Sequence, residues 1–267
     1  SAVVAATVAE GSRDRWIDYA FSQAVHHLKP QWLPAFRRGE LDFGDRRRGL
    51  AAVLGQADSR GLLAETRRLL KSGELKGEGR IALVRALISV GEESDLHLAL
   101  EEKPPSPVLL RALAGRERPG IEFTKPLHQI LEGSHPEARV AAMELVGHWR
   151  VGELKAQCLR VAAQNGADAG LRSAAIGALG FLGGGDAVQT LESIAGTAPD
   201  MLRVSAVAAL LNTNSPKAAS LGAGVLSGKL KPGLETQVFS AFVEREGGGR
   251  LLADVLKDAK ISRAQGE

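Results

Sequence analysis

Cysteine is almost missing from this chain of 267 residues: there is one, Cys158, so no disulfide can form within it. It stands in Leu154-Lys-Ala-Gln-Cys-Leu-Arg160, on the apolar side of an expected helix, and reads as a buried small hydrophobe. A catalytic thiol would need a partner base, and the sequence supplies none beside it. Aromatic residues are scarce as well, at 4%, with seven Phe, three Trp and one Tyr. No stretch free of charge exceeds 13 residues (Ser173–Gly185 and Val204–Pro216). A membrane-spanning helix needs about 20 apolar residues, so no transmembrane segment is expected. None of the six histidines (His26, His27, His97, His128, His135, His148) forms an i, i+4 pair or a His-Glu-x-x-His arrangement. A zinc site is therefore not signalled. Neither a Gly-x-Ser-x-Gly elbow nor a phosphate-binding loop occurs. The glycine-rich runs Gly180-Phe-Leu-Gly-Gly-Gly185 and Gly247–Gly249 follow no strand and read as turns between helices.

What is present is globular in composition: 44% hydrophobic and 24% charged residues rule out a largely disordered chain. Lys+Arg 34 against Asp+Glu 31 leave a net charge of +3, with a sequence pI near 9.1. The excess lies at the front, where Arg37, Arg38, Arg46, Arg47 and Arg48 could form a patch for an anionic partner. Glu40, Asp42 and Asp45 dilute it, and it falls far short of the basic stripe that nucleic acid needs. No basic segment precedes the apolar run Ala2–Ala9, which does not read as a signal peptide. Both ends read as cut, and the chain is expected to be a piece of a longer protein.

The strongest signal is self-similarity. Arg139-Val-Ala-Ala-Met-Glu-Leu-Val146 aligns with Arg172-Ser-Ala-Ala-Ile-Gly-Ala-Leu179 and with Arg203-Val-Ser-Ala-Val-Ala-Ala-Leu210, the arginines lying 33 and 31 positions apart. A weaker copy begins at Glu235, and Arg80-Ile-Ala-Leu-Val-Arg-Ala-Leu87 repeats the pattern upstream. Each unit splits into two amphipathic segments. In one, a first helix is expected over 168–182, a turn at Gly183-Gly184-Gly185, and a second helix from Asp186 to about Ala195. Asp168 and Asp186 suit N-caps, and Pro136, Pro199 and Pro216 suit helix starts. Ala142, Ala175 and Ala206 are small enough for helices to approach closely. No segment carries the period-2 pattern of a strand. The expected fold is all-α: an α-solenoid of HEAT-like antiparallel helix pairs wound as a right-handed superhelix, about seven pairs after an N-terminal hairpin. Equivalent positions in stacked repeats project alike, so Arg139, Arg172 and Arg203 are expected to form a ladder along one edge, with local pairs to Asp168 and Asp200 available, and to serve as a partner-binding edge.

Residues 1–43 depart from that pattern and are expected to form an aromatic-rich helical cap, leaving 44–267 as the repeat array within one continuous solenoid. Ser12 can cap a helix carrying Trp16, Tyr19, Ala20, Ala24 and Leu28; Pro30 stops it, and Gln31-Trp-Leu-Pro34 turns the chain into a short segment closed by Gly39. Trp16, Tyr19 and Trp32 are expected to pack together as core rather than as a binding cage.

The same residues carry a family resemblance. Trp16-Ile-Asp-Tyr-Ala20, Leu28-Lys-Pro-Gln-Trp-Leu-Pro-Ala35 and Gly39-Glu-Leu-Asp-Phe43 resemble the HEAT-repeat region of PVC-type haem-binding, membrane-bound dehydrogenase-like proteins. In that family a β-propeller resembling sugar dehydrogenases precedes the helical repeats and a c-type cytochrome domain follows them. The resemblance implies an extracytoplasmic scaffold. Its partners would be neighbouring domains of the same polypeptide or another protein, and haem c would lie only in a neighbouring domain. This chain contains no Cys-x-x-Cys-His, and none of the family's catalytic residues map onto it. No catalytic, cofactor or metal site is therefore expected here. The rival readings are a stand-alone interaction solenoid and a HEAT-like enzyme such as a DNA glycosylase or bilin lyase. A glycosylase would need a basic groove holding an aromatic and a carboxylate, whereas the aromatics here fall in one amphipathic hairpin.

Overall fold

The computed structural model describes residues 15–37, 49, 52–53, 63–71, 73, 76–120, 122–228 and 230–257. Two compact units divide the chain, Ser1–Ile121 and Glu122–Glu267. Among the described residues every regular element is helical and no strand occurs. The first unit holds α1 (Arg15–His27), α2 (Lys29–Arg37), α3 (Leu63–Lys71), α4 (Gly77–Val90), the single turn α5 (Leu98–Glu101) and α6 (Pro107–Ala114). The second holds α7 (Thr124–Glu132), α8 (Pro136–His148), α9 (Lys155–Ala163), α10 (Ala169–Leu182), α11 (Gly185–Thr197), α12 (Asp200–Leu210), α13 (Ser215–Ser227), α14 (Leu234–Val243) and α15 (Gly248–Leu256). No described helix is long and apolar enough to cross a membrane.

The second unit is built in two rows. Helices α8, α10, α12 and α14 stack on one another in sequence, and α9, α11, α13 and α15 form the second row. The turns from α10 to α13 are two to four residues long, which makes consecutive helices antiparallel neighbours. Local chemistry sets these boundaries. Asp168 caps α10, its Oδ1 accepting from the Leu171 amide at 2.9 Å. Gly183 (φ 65°) and Gly184 (φ 91°) end that helix in the left-handed region, which residues with a Cβ avoid. Asn214 caps α13 by accepting from the Lys217 amide at 3.1 Å, and Pro216 falls in that helix's first turn. Asp186 is not the expected N-cap of α11. Gly184 takes that place and Asp186 lies in the first turn, because the glycine turn is completed two residues earlier than the sequence suggested.

Each row has its own cement. In the first row Ala142, Ala175 and Ala206 are all fully buried. Closest approach occurs at glycine: a Cβ on Gly147 would lie 2.7 Å from the Cα of Ala178, and one on Gly180 would lie 2.8 Å from the carbonyl oxygen of Ala209. Helix α8 thus touches α10 as α10 touches α12, backbone against backbone. Around these contacts Leu145, Val146, Ile176, Leu179, Val207 and Leu210 are at 0% exposure, each contributing about 1.5–3 kcal/mol relative to an exposed side chain.

The N-terminal hairpin corrects the expected aromatic core. Trp32 is buried at 2% exposure, and its Nε1–H donates to the carbonyl of Val25 at 3.0 Å. Trp16 and Tyr19 are 75% and 63% exposed. The reason is angular. Phe21 and Val25, four apart, are the buried stripe of α1, while Trp16 and Tyr19, three apart, share a different face. The helix that starts at Lys29 also replaces the expected turn at Gln31–Pro34. Pro30 sits in its first turn, where the absent N–H is no loss, and Pro34 is carried inside it.

Candidate functional site

The arginine positions read from the repeat perform one shared task. Arg139 Nε donates to Leu131 O at 2.9 Å, Arg172 Nε and Nη2 donate to Ala162 O at 3.3 and 3.1 Å, and Arg203 Nε donates to Ala195 O at 3.1 Å. In the first unit Arg80 Nη1 reaches Leu70 O at 3.4 Å in the same way. Each acceptor lies in the last turn of the preceding helix, where carbonyls lack intrahelical partners and the helix dipole is negative. The arginine that opens one helix therefore caps the helix before it, and the guanidinium groups turn inward. Arg139 and Arg203 are half-buried, and Arg172 is only 7% exposed.

Their carboxylate partners differ. Asp200 stands 3.8 Å from Arg203, one helical turn away. The corresponding pair with Asp168 does not form, because that side chain is spent on the cap of α10. Among the described residues Arg172 has no acidic partner within 4.0 Å. Arg46, Arg47 and Arg48 lie outside the described residues.

The second row of helices carries polar links between neighbours. His128 Nδ1 lies 3.1 Å from Gln157 Oε1, whose amide nitrogen donates to Glu132 at 2.6 Å. Arg160 also reaches Glu132, at 3.0 Å. Lys155 contacts Asp186 of the following pair, and its ammonium holds that carboxyl below the usual range. Lys217 stands 3.4 Å from Glu192. This face is thus joined by hydrogen bonds and ion pairs, whereas the other row meets mainly through glycine and alanine, with the Ser173 and Ser205 hydroxyls 3.1 Å apart beside them.

Cavities open in the second unit. One of about 560 Å³ lies against α11 and is lined by Asn165, Arg172, Gln189, Thr190, Ser193 and Thr197 among others. Another, about 620 Å³, lies at the turns and is lined by Arg150, Phe181, Asn212 and Arg245 among others. Arg245 is already engaged there, donating to Leu211 O at 2.6 Å. Neither lining includes a carboxylate.

No described group of three or more His, Cys, Asp or Glu side chains could hold a metal ion. Cys158 is fully buried beside Met143, with Sγ 3.5 Å from Sδ, and burial pushes its thiol up to about 12. A thiol held so far above neutrality supplies almost no thiolate. Sequence reasoning named Arg172 but missed the cavity it lines. The spacing of Gln189, Thr190, Ser193 and Thr197 marks one polar helix face, whereas Asn165 and Arg172 come to it from other parts of the fold.

The repeat register and the capping arginines lead to a known family. Residues 124–212 match the family model of HEAT repeats. That stretch runs from α7 through α12, about a third of the chain, and includes all three capping arginines of the second unit. No curated protein matches the sequence. The helix pairs are therefore described as HEAT-like, and HEAT repeats are helical modules suited to scaffolding and protein interaction.

Proposed function

We propose that this chain is a non-catalytic HEAT-like scaffold that holds other modules at a set separation and offers one face for docking. The observation that supports this most directly is the double row. The pairs that begin at α8, α10 and α12 are tied in succession both by backbone-close contacts (Gly147 on Ala178, Gly180 on Ala209) and by the links Lys155–Asp186 and Lys217–Glu192. These three pairs cannot slide past one another without breaking both. The resemblance at residues 12–43 extends the proposal to a parent protein of the PVC-type haem-binding, dehydrogenase-like kind, extracytoplasmic, with the propeller and the c-type cytochrome as the modules spaced. Nucleic acid is not among the partners proposed.

The test begins with the chain expressed in a host that matures c-type haem. The expected result is a protein without visible absorbance, without stoichiometric metal, and without turnover of a sugar or alcohol in the presence of an electron acceptor. A bound chromophore or turnover overturns the scaffold reading in favour of an enzyme. The encoding gene supplies the second arm: a Cys-x-x-Cys-His downstream supports the cytochrome-bearing parent, and its absence leaves the stand-alone interaction solenoid. In the full-length parent, deletion of residues 168–199, one helix pair, should bring flanking modules closer by about 10 Å, the spacing of packed helices.

A further inference from the structure

The three capping arginines of the second unit are equivalent by repeat but not by surroundings: among the described residues neither Arg139 nor Arg172 has a carboxylate within 4.0 Å, and of the two only Arg172 is deeply buried. A guanidinium has five N–H donors and cannot lose its charge in a protein. Arg172 is 7% exposed, and its hydrogen bonds among the described residues run from Nε and Nη2 to one carbonyl oxygen, that of Ala162. Among those residues Nη1 is left without a partner, and no carboxylate neutralises the charge. A buried charge is ordinarily paired as well as hydrogen-bonded. Arg203 meets that rule through Asp200, whereas Arg172 does not.

The cavity that Arg172 lines adds to the anomaly. Its volume, about 560 Å³, lies within the range of about 300–1,000 Å³ typical of ligand sites. Its wall is furnished with donors and no negative charge. Asn165 and Gln189 offer amide N–H groups and Ser193 a hydroxyl. The Thr190 and Thr197 hydroxyls already donate to Asp186 O at 2.9 Å and to Ser193 O at 2.8 Å. A fixed positive charge with an open fork, ringed by neutral donors, is complementary to a carboxylate, which accepts in two parallel directions.

We propose that the cavity at Arg172 receives a carboxylate, presented by an acidic side chain of a protein segment docking on the α11 face. This rests on the docking part of the scaffold reading and adds to it the chemistry of the partner. Acidic side chains fit better than an apolar anchor, because an apolar group would leave the guanidinium buried and unpaired.

The experiment follows the Arg172 Nε–Hε signal and the side-chain amide signals of Asn165 and Gln189 by nitrogen-15 NMR of the whole chain at low salt. The probes are a capped tetraglutamate peptide, the matching tetraglutamine peptide, succinate and inorganic phosphate. The expected result is a saturable shift of all three signals with tetraglutamate and none with tetraglutamine. Ser193→Glu changes an exposed residue of α11 and puts a carboxylate on the cavity wall. It should raise the Tm and abolish the tetraglutamate shift, a result that a purely structural Arg172 would not produce. Shifts with succinate or phosphate but not with tetraglutamate overturn the peptide partner, and with it docking at this cavity, while the spacer role stands on its own spectroscopic test. No shift with any probe, or a tetraglutamate shift that survives Ser193→Glu, overturns the carboxylate site itself.

Discussion

In residues 122–257 the helices of one row meet through glycine and alanine, whereas in residues 15–120 a core of buried leucines such as Leu87, Leu109 and Leu113 is supplemented by long arginine links between helices. Gly147 and Gly180 bring α8, α10 and α12 so close that no Cβ fits between them. In the first unit Arg67 of α3 spans to Asp95, donating from Nε at 2.8 Å and from Nη2 at 2.7 Å, with Glu92 also 3.1 Å from Nη2. Arg80 pairs with Glu102, and Arg116 donates to the carbonyls of Ile88, Ser89 and Gly91 at the end of α4. The same architecture is thus joined in two ways. Contact between backbones is insensitive to pH and salt and intolerant of added volume. Charged links behave oppositely, because a long side chain can shift but its partner's protonation matters.

The largest expected effect probes the first unit where it is not ionic. Trp32→Ala should lower stability by about 3–5 kcal/mol, the range for a buried tryptophan, while Trp16→Ala should stay within about 0.5 kcal/mol, as an exposed substitution does. Chemical denaturation of both variants checks this. Equal losses would mean that α1 buries the face opposite to the one described.

The next effect tests the charged links. Burial by itself would raise the Asp95 pKa, yet the Arg67 guanidinium and the Glu92 amide, which donates to Asp95 Oδ2 at 2.9 Å, hold the carboxyl below its ordinary value. Asp95→Ala should therefore lower stability by about 2–3 kcal/mol, less than a fully buried pair because Arg67 stays partly exposed. The sign with pH follows from the lowered folded pKa. The contribution is complete above the ordinary aspartate value, near 4, and drains away as pH falls through the lower folded value. Unfolding curves from pH 7 down to 2 should show an acid-side loss in the native chain that Asp95→Asn lacks. An identical acid limb in both would remove Asp95 from the comparison.

Added volume probes the other unit. Gly147→Ala and Gly180→Ala should each lower stability by about 1–3 kcal/mol, because the new methyl meets backbone atoms of the next helix. The smallest effect has the opposite sign. Gly177, in the middle of α10, has nothing within 4 Å of where a methyl group would stand, so Gly177→Ala should raise stability by about 0.5–1 kcal/mol through helix propensity. Thermal melts of the three variants separate tight from open glycines on neighbouring helices. A loss in Gly177→Ala matching the other two would mean that the tight contacts are not local.

Much of the fold was legible without coordinates, for local reasons. The helix at 169–182, its cap at Asp168 and its end at Gly183 follow from side-chain periodicity, a carboxylate able to accept from the first turn, and a glycine able to take positive φ. The repeat spacing put Arg139, Arg172 and Arg203 in equivalent places, since copies of one supersecondary unit stack in register. Less was readable in the hairpin. Trp16 and Tyr19 lie at helical spacing just as Phe21 and Val25 do, and nothing within α1 says which stripe another element covers.

By itself, then, the sequence determined that the chain forms short paired helices, where several of them begin and end, and that an arginine opens three successive units, because these depend on atoms within a turn or two of one another. The tertiary structure alone decided that those arginines cap the helix before them, that glycine rather than alanine marks the closest approach, and that Arg172 is buried without a counter-charge among the described residues. Each of these is set by what a neighbouring repeat places against the residue: a carbonyl at the end of one helix, a backbone at van der Waals distance, or a carboxylate that is missing.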